Sequence, residues 1–391
     1  MLQRLKIKLK INKNVILKAC IAIVFLIGFT VTVIFVNQDN PGFKTEQINS
    51  QFAFAKVTDV ISESLEPSQV ADRPVGTQEL EIQILSGEHK GEVLSIKHYL
   101  SVLSNIHLKP NSKVIVRLSV RDNGSYEASV YSFNRVTVLT VFSLLFILTL
   151  CLVGGKKGIM ATLGIAFTVV CIVFILLPAI YKGYDPILMA MIIVVITSIV
   201  CFVLIAGFSR KTLSAIMGTF FGVAVSGILT ATVSAAGHLN GFNMEEAESM
   251  LLQANDLNLK IGSMLTAGII IAASGAVMDV AMAISSAVNE IHELNPEMKP
   301  AALYKSGMNI GKDAMGTMSN TLILAFIGSS LNFLVLVFAF GIPFLQLINT
   351  DSMSIEIVKG IACTMGLVLT NPIVALVSAY ITQIKFKGEL L

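Results

Sequence analysis

Hydrophobic positions along this chain fall into two regimes. Residues 19–36, and most of the chain beyond residue 135, form apolar runs of about twenty residues separated by short polar links. Residues 37–134 instead mix polar and β-branched positions with turn signals. The runs predict eight membrane-crossing helices, at 19–36, 136–153, 159–180, 187–207, 213–235, 261–284, 315–340 and 358–381. Between the first and second, strands are expected at 52–61, 78–85, 92–99, 113–120 and 126–133. SGEHKG and the Asn-Gly of RDNGSY have hairpin length, and LKPNSK reads as a turn. The expected fold is an α-helical polytopic membrane protein with a small all-β, OB-like domain between helices 1 and 2, a two-sheet sandwich being the alternative for that domain. Residues 1–36 would be a basic tail and signal-anchor helix, 37–134 the extracytoplasmic β-domain and 135–391 a seven-helix transmembrane domain.

Composition agrees with that class, since 54% of the residues are hydrophobic and 14% charged, which excludes a soluble globule. The placement of charge orients the chain. Arg4, Lys6, Lys8, Lys10, Lys13 and Lys18 precede the first run without an acid, and the run ends without a small-x-small cleavage signal, so it reads as an uncleaved anchor. Lys156, Lys157, Arg210, Lys211, Lys299, Lys305, Lys312, Lys385 and Lys387 fall on the side assigned to the cytoplasm, against Arg135, Lys182, Lys260 and Lys359 on the other. Both termini are therefore expected on the cytoplasmic side of the membrane. All five cysteines, Cys20, Cys151, Cys171, Cys201 and Cys363, lie in expected spans and read as small buried hydrophobes. The acidic NMEEAESMLLQAND reads as a surface amphipathic helix or a solvated loop, and IPFLQLI as an interfacial piece.

Polar chemistry gathers in SGAVMDVAMAISSAVNEI and GKDAMGTMSNTLILAFIGSSL. In the first, Ala272, Gly275, Asp279, Ser286 and Asn289 recur at helical spacing, opposite Val277, Val280, Ile284 and Val288. In the second, Asn309, Asp313, Gly316, Thr317 and Asn320 share a face. Carboxylates inside apolar helices are costly unless they bind or relay something, so the stripes are expected to face each other or a watery cavity, the short link returning the chain as an antiparallel neighbour. Two plainer readings stand beside this one: Asp279 as polar glue to a neighbouring helix, and Asp313 as an N-terminal helix cap. Ser214, Gly218, Gly222 and Ser226 form a small-residue ridge suited to close helix packing. Pro372 should free the carbonyl of Val368 beside Thr370 and Asn371, adding Asn371 to the candidate pathway.

Sharper chemistries fail on spacing. The five histidines form no HExxH, and GMNIGKD lacks the spacing and the Ser or Thr of a phosphate loop. Methionines 278, 282, 315 and 318 suggest packing before soft-metal transport. No catalytic residue, metal ligand or cofactor is assigned, and no nucleic-acid partner is expected, since no strand bears a basic or aromatic cluster. The two quoted motifs resemble the YibE/F-like family of bacterial multi-pass membrane proteins, a resemblance that covers most of the chain and implies a polytopic protein of the bacterial plasma membrane with this topology, but no substrate. Three functions are weighed: a transporter or channel for a small solute or cation using the acidic stripes, an assembly or envelope-sensing partner acting through residues 37–134, and last an enzyme, for which no nucleophile, base and orienting group assemble in the sequence.

Overall fold

Alternating apolar positions build a five-stranded antiparallel sheet. The computed structural model describes residues 28–37, 50–68, 73–120, 126–244, 247–253 and 259–384. The basic tail, Cys20, Asn123, Glu245, Glu246, Lys385 and Lys387 lie outside them. Strands β1 (Ser50–Pro67), β2 (Pro74–Ile84), β3 (Val93–Leu100), β4 (Lys113–Val120) and β5 (Tyr126–Phe133) take the order β3-β2-β1-β4-β5. All five expected strands are present, and the long β1 pairs with β4 through its first residues and with β2 from Ala55 onward. One sheet, not two, excludes the sandwich, and β3 and β5 approach without a ladder among the described residues, so the sheet is a curled half-barrel.

Its concave core is apolar, with Ala53, Ala55, Val57, Leu80, Ile82, Ile84, Val114 and Val116 buried. One polar group inside is fully used: the Gln78 amide donates to Leu108 O at 2.9 Å and to Glu63 at 3.1 Å, and accepts from Leu108 N at 3.0 Å. Burial pushes His98 down from the usual histidine range, which favours the neutral ring; its Nε2 lies 2.9 Å from Ile106 O. At the rim, Glu92 accepts from Tyr126 Oη, tying the β2–β3 turn to the start of β5. That bond raises Tyr126 to about 12, and together with His89 it lowers Glu92.

The chain divides into two compact units, Asn40–Leu150 and a helical unit of Met1–Asp39 with Cys151–Leu391. The helices are α1 (described over Gly28–Asn37), α2 (Val136–Cys171), α3 (Leu177–Tyr181), α4 (Pro186–Ala206), α5 (Arg210–Ala236), α6 (Ala247–Gln253), α7 (Met264–Leu294), α8 (Pro300–Ser329), α9 (Leu331–Ala339), α10 (Phe344–Ile348) and α11 (Asp351–Ile381). Five helices are long and apolar enough to cross a membrane, six if α8 and α9, bent by 60° at their junction, form one. The longest of these runs from Val136 to Tyr181, 46 residues. It is interrupted at Gly155, whose φ of 54° and ψ of −131° are not helical. Cys151 Sγ lies 3.8 Å from Thr162 Oγ1, a separation of about 16 Å in a straight helix, so the chain turns back there.

A π-helical turn, Ile172–Leu176, joins α2 to α3. Pro178 supplies no N–H to Phe174 O, and Asn37 of α1 donates to that carbonyl instead at 2.7 Å. About two turns away along both helices, the tilted rings of Phe29 and Phe167 meet with centroids 5.1 Å apart.

Helix α7 occupies the middle of the bundle and packs against α4, α5, α8 and α11. Its Val277, Val280, Ile284 and Val288 are fully buried. The charged stretch expected as a link is mostly helix, because α7 runs on to Leu294 and α8 begins at Pro300. Lys305 and Lys312 therefore ride on α8. The expected seventh span is likewise broken at Ser330, where Gly328, Ser329 and Ser330 interrupt the apolar run.

Candidate functional site

Asp279 sits fifteen residues from each end of α7, about 22 Å of helix either way. The nearest charged residues along the chain, Lys260 and Glu290, lie nineteen and eleven residues away, so this carboxylate falls inside the long apolar stretch of α7. It is exposed, as are Gly268, Ala272, Gly275 and Ala283 on the same side. Among the described residues no atom beyond the local helix comes within 4 Å of a methyl placed on Gly268 or Gly275, so none of them covers this sector of α7. Among the described residues Asp279 has no hydrogen-bond or ion-pair partner.

Asp313 lies thirteen residues inside α8, so it does not cap that helix, whose N-cap position is Lys299. The helix starts early because Pro300 suits a first turn and no further proline occurs before Pro343. Leu303, Gly307 and Gly311 form its buried side, while Asn309, Asp313, Gly316, Thr317 and Asn320 are exposed.

The two helices meet through their apolar sides. A methyl on Gly307 would lie 2.8 Å from Val288 Cγ2, and one on Gly311 3.1 Å from Ile284 Cδ1. This antiparallel register sets Asp279 level with Gly316, so Asp313, Thr317 and Asn320 fall within about 6 Å of its depth. The stripes share a depth but do not meet across the α7–α8 contact. The glycines of α8 admit Ile284 and Val288 and turn both polar sides away from the contact.

The remaining candidates separate. Asn289 is buried and donates to Glu293 Oε1 at 2.6 Å, apart from the open sector. Ser286 Oγ donates to Met282 Sδ at 3.5 Å, and Thr317 Oγ1 to Ala314 O at 3.0 Å. Asn371, 0% exposed, touches Gly311 across the α8–α11 contact, and neither amide atom finds a partner among the described residues. A buried amide without partners costs about 1–3 kcal/mol. It lies one residue before Pro372, which also leaves Val368 O without its helical donor.

On α5, Gly218, Gly222 and Ser226 lie against Val374, Thr370 and Gly366 of α11. Continuing in fours, Ser214 is opposite Ser378, and Arg210 Nη1 donates to Thr382 O. Ser226 Oγ donates to Ala362 O at 3.1 Å.

Sequence reasoning missed a cleft of about 440 Å³ at the junction of α8 and α9. It is lined by Asn243, Ser329, Ser330, Asn332, Ser352, Glu356 and Lys359, with Met244, Phe333, Leu336 and Ile355 as its apolar wall. Lys359 Nζ and Glu356 Oε1 pair at 2.6 Å, each side chain about three-quarters buried. Only the Gly-Ser-Ser interruption could have signalled it. Among the described residues no three His, Cys, Asp or Glu side chains gather closely enough to hold a metal ion.

No curated protein and no solved structure matches the chain. A family model described as YibE/F-like protein matches residues 142–384, and one described as YibE/F family N-terminal domain matches residues 50–133. Together they span both the β-sheet unit and the helical unit, and the chain belongs to the YibE/F family.

Proposed function

We propose that this membrane protein carries a small solute or cation across the plasma membrane along the open sector of α7, with Asp279 as the charged group on the path. A single observation carries the reading: a carboxylate inside the apolar stretch of α7, on a side of the helix that nothing in the described chain covers, with no partner. Lipid would make such a group costly, whereas water and a passing cation would not. Glue to a neighbouring helix would require a partner on that helix. Asp313, Thr317 and Asn320 extend the polar surface at the same depth, and Asn371 adds an unsatisfied amide inside the bundle.

The topology belongs to the same proposal. Resolving the helix broken at Gly155 into two crossings, taking α8 with α9 as one, and adding α1 gives eight, with the β-domain outside and both termini inside. Lys156, Lys157, Arg210, Lys211 and Lys299 then share the cytoplasmic side. A reporter fused after Asn123 is expected to be extracytoplasmic, and reporters after Lys299 and Leu391 cytoplasmic. Purified protein in liposomes should dissipate an imposed proton or cation gradient. A β-domain found inside the cell, or liposomes no leakier than empty ones to any such gradient, would refute the proposal.

A second reading has its own support. Phe52 and Tyr131, 53% and 62% exposed, meet edge to face at 5.0 Å on the outer side of the β-domain, near exposed Phe54 and Phe133. Tyr131 sits at a bulge in β5 and points outward with Glu127 and Ser129, following the alternation of the strand. An aromatic patch of this kind suits an envelope protein partner.

A further inference from the structure

We infer that the cleft at the α8–α9 junction binds a zwitterion carrying an apolar substituent. The argument starts from the ion pair. Glu356 and Lys359 lie one turn apart on α11 and hold each other at 2.6 Å, largely withdrawn from water. A ligand that carries only a cation could take Glu356 only by leaving Lys359 unpaired, and an anion would strand Glu356 in the same way. Each outcome leaves an uncompensated, partly buried charge. A zwitterion can take both places at once, its ammonium on the carboxylate and its anionic group on the ammonium, so the site stays neutral throughout.

The surroundings fit such a ligand. Ser330, Asn332 and Ser352 line the cleft with side chains that make no hydrogen bond among the described residues, and so remain free for polar atoms of a guest. Asn243 is already committed, donating to Asp351 Oδ2 at 2.9 Å, and fixes the wall it belongs to. A volume of about 440 Å³ is enough for a molecule of several heavy atoms with its water.

An apolar hollow of about 310 Å³ adjoins this cleft, sharing Ser330 and Glu356 with it and lined by Phe326, Ile327, Leu334 and Ile357. A substituent branching from the charged end would enter this hollow. Two sources offer that chemistry, a free amino acid with an apolar side chain and an aminophospholipid whose headgroup is zwitterionic. The break between α8 and α9 makes both spaces, since a straight helix would carry Asn332 and Leu334 away from the residues of α11 they face. The biological sense of the site rests on the transport reading, but its occupancy can be measured without transport.

Radiolabelled leucine is the probe, bound to the full-length protein in detergent and in nanodiscs with or without phosphatidylethanolamine. Isovalerate, which has the anion and the apolar group, and isopentylamine, which has the cation and the apolar group, are the competitors. Leucine should bind, with each competitor at least about tenfold weaker, or else phosphatidylethanolamine should occupy the site and displace leucine. The first result identifies a free solute and the second a lipid headgroup. Glu356→Gln should weaken leucine about tenfold or more while improving isovalerate, and Lys359→Gln should do the same while improving isopentylamine. Misfolding cannot produce opposite gains in the two variants. The inference fails if neither zwitterion binds, if a competitor binds the parent as tightly as leucine, or if both variants simply lose binding. Binding without flux would leave it standing and sink the transport reading alone.

Discussion

Asp279→Asn is expected to yield a folded, membrane-inserted protein that no longer moves its cation or couples to protons. The amide keeps the shape of the carboxyl group, and nothing in the described chain loses a bond, because Asp279 has no partner there. What disappears is the charge that would hold a cation in the open sector of α7. Flux in liposomes should fall roughly tenfold or more, since each 1.4 kcal/mol of lost cation binding is a factor of ten. Thermal unfolding in detergent should be unchanged or slightly raised, as a charge at membrane depth has been removed. A variant that transports like its parent would take Asp279 out of the mechanism, and the aromatic patch of Phe52 and Tyr131 would become the better guide to function.

A large loss of stability is expected on filling Gly222. A methyl there would sit 1.9 Å from Thr370 Oγ1 and 2.9 Å from Val277 Cγ1, wedged between α11 and α7. Thr370 cannot easily give way, because it is fully buried and its hydroxyl donates to Gly366 O at 2.7 Å. Gly222→Ala should therefore cost about 1–3 kcal/mol, as overpacking does elsewhere, and lower the unfolding temperature visibly. Gly275→Ala is the matched control. A methyl at Gly275 meets nothing within 4 Å, so the helix gains up to about 1 kcal/mol of propensity and loses no contact. Equal stability for the two variants would mean that α5 and α11 do not approach so closely.

What could be read from the residues depended on whether the signal was local. The strands announced themselves by alternation, and their limits differ from those expected mainly in β1, whose extra length comes from pairing with two neighbours in succession. Helices α4, α5, α7 and α11 were legible as apolar runs. The segment after Ala283 was not, because Glu290, Glu293, Lys305 and Lys312 look like a loop by composition, yet charged residues are tolerated on helix ends that project beyond the hydrocarbon. Asp279 and Asp313 stood out by chemistry alone, but their outward direction depends on Gly307 and Gly311 receiving α7, which no stripe on a single helix reveals. The cleft is less legible still. Asn243, Asn332 and Glu356 come together only because α8 breaks at Ser330, and the pairing of α11 with distant turns is a tertiary fact.

The central claim is that the sector of α7 containing Asp279 faces water inside the membrane. Cysteine accessibility tests it without knowledge of the substrate. In a protein whose native cysteines are replaced, single cysteines at Gly275, Asp279 and Ala283 should react with a charged, membrane-impermeant thiosulfonate, whereas cysteines at the buried Val280 and Ile284 should not. Reaction at the first three and protection of the other two is the predicted result. Protection of all five from the charged reagent, with positions 275, 279 and 283 reacting only with a lipid-soluble maleimide, would put Asp279 against lipid and contradict the account.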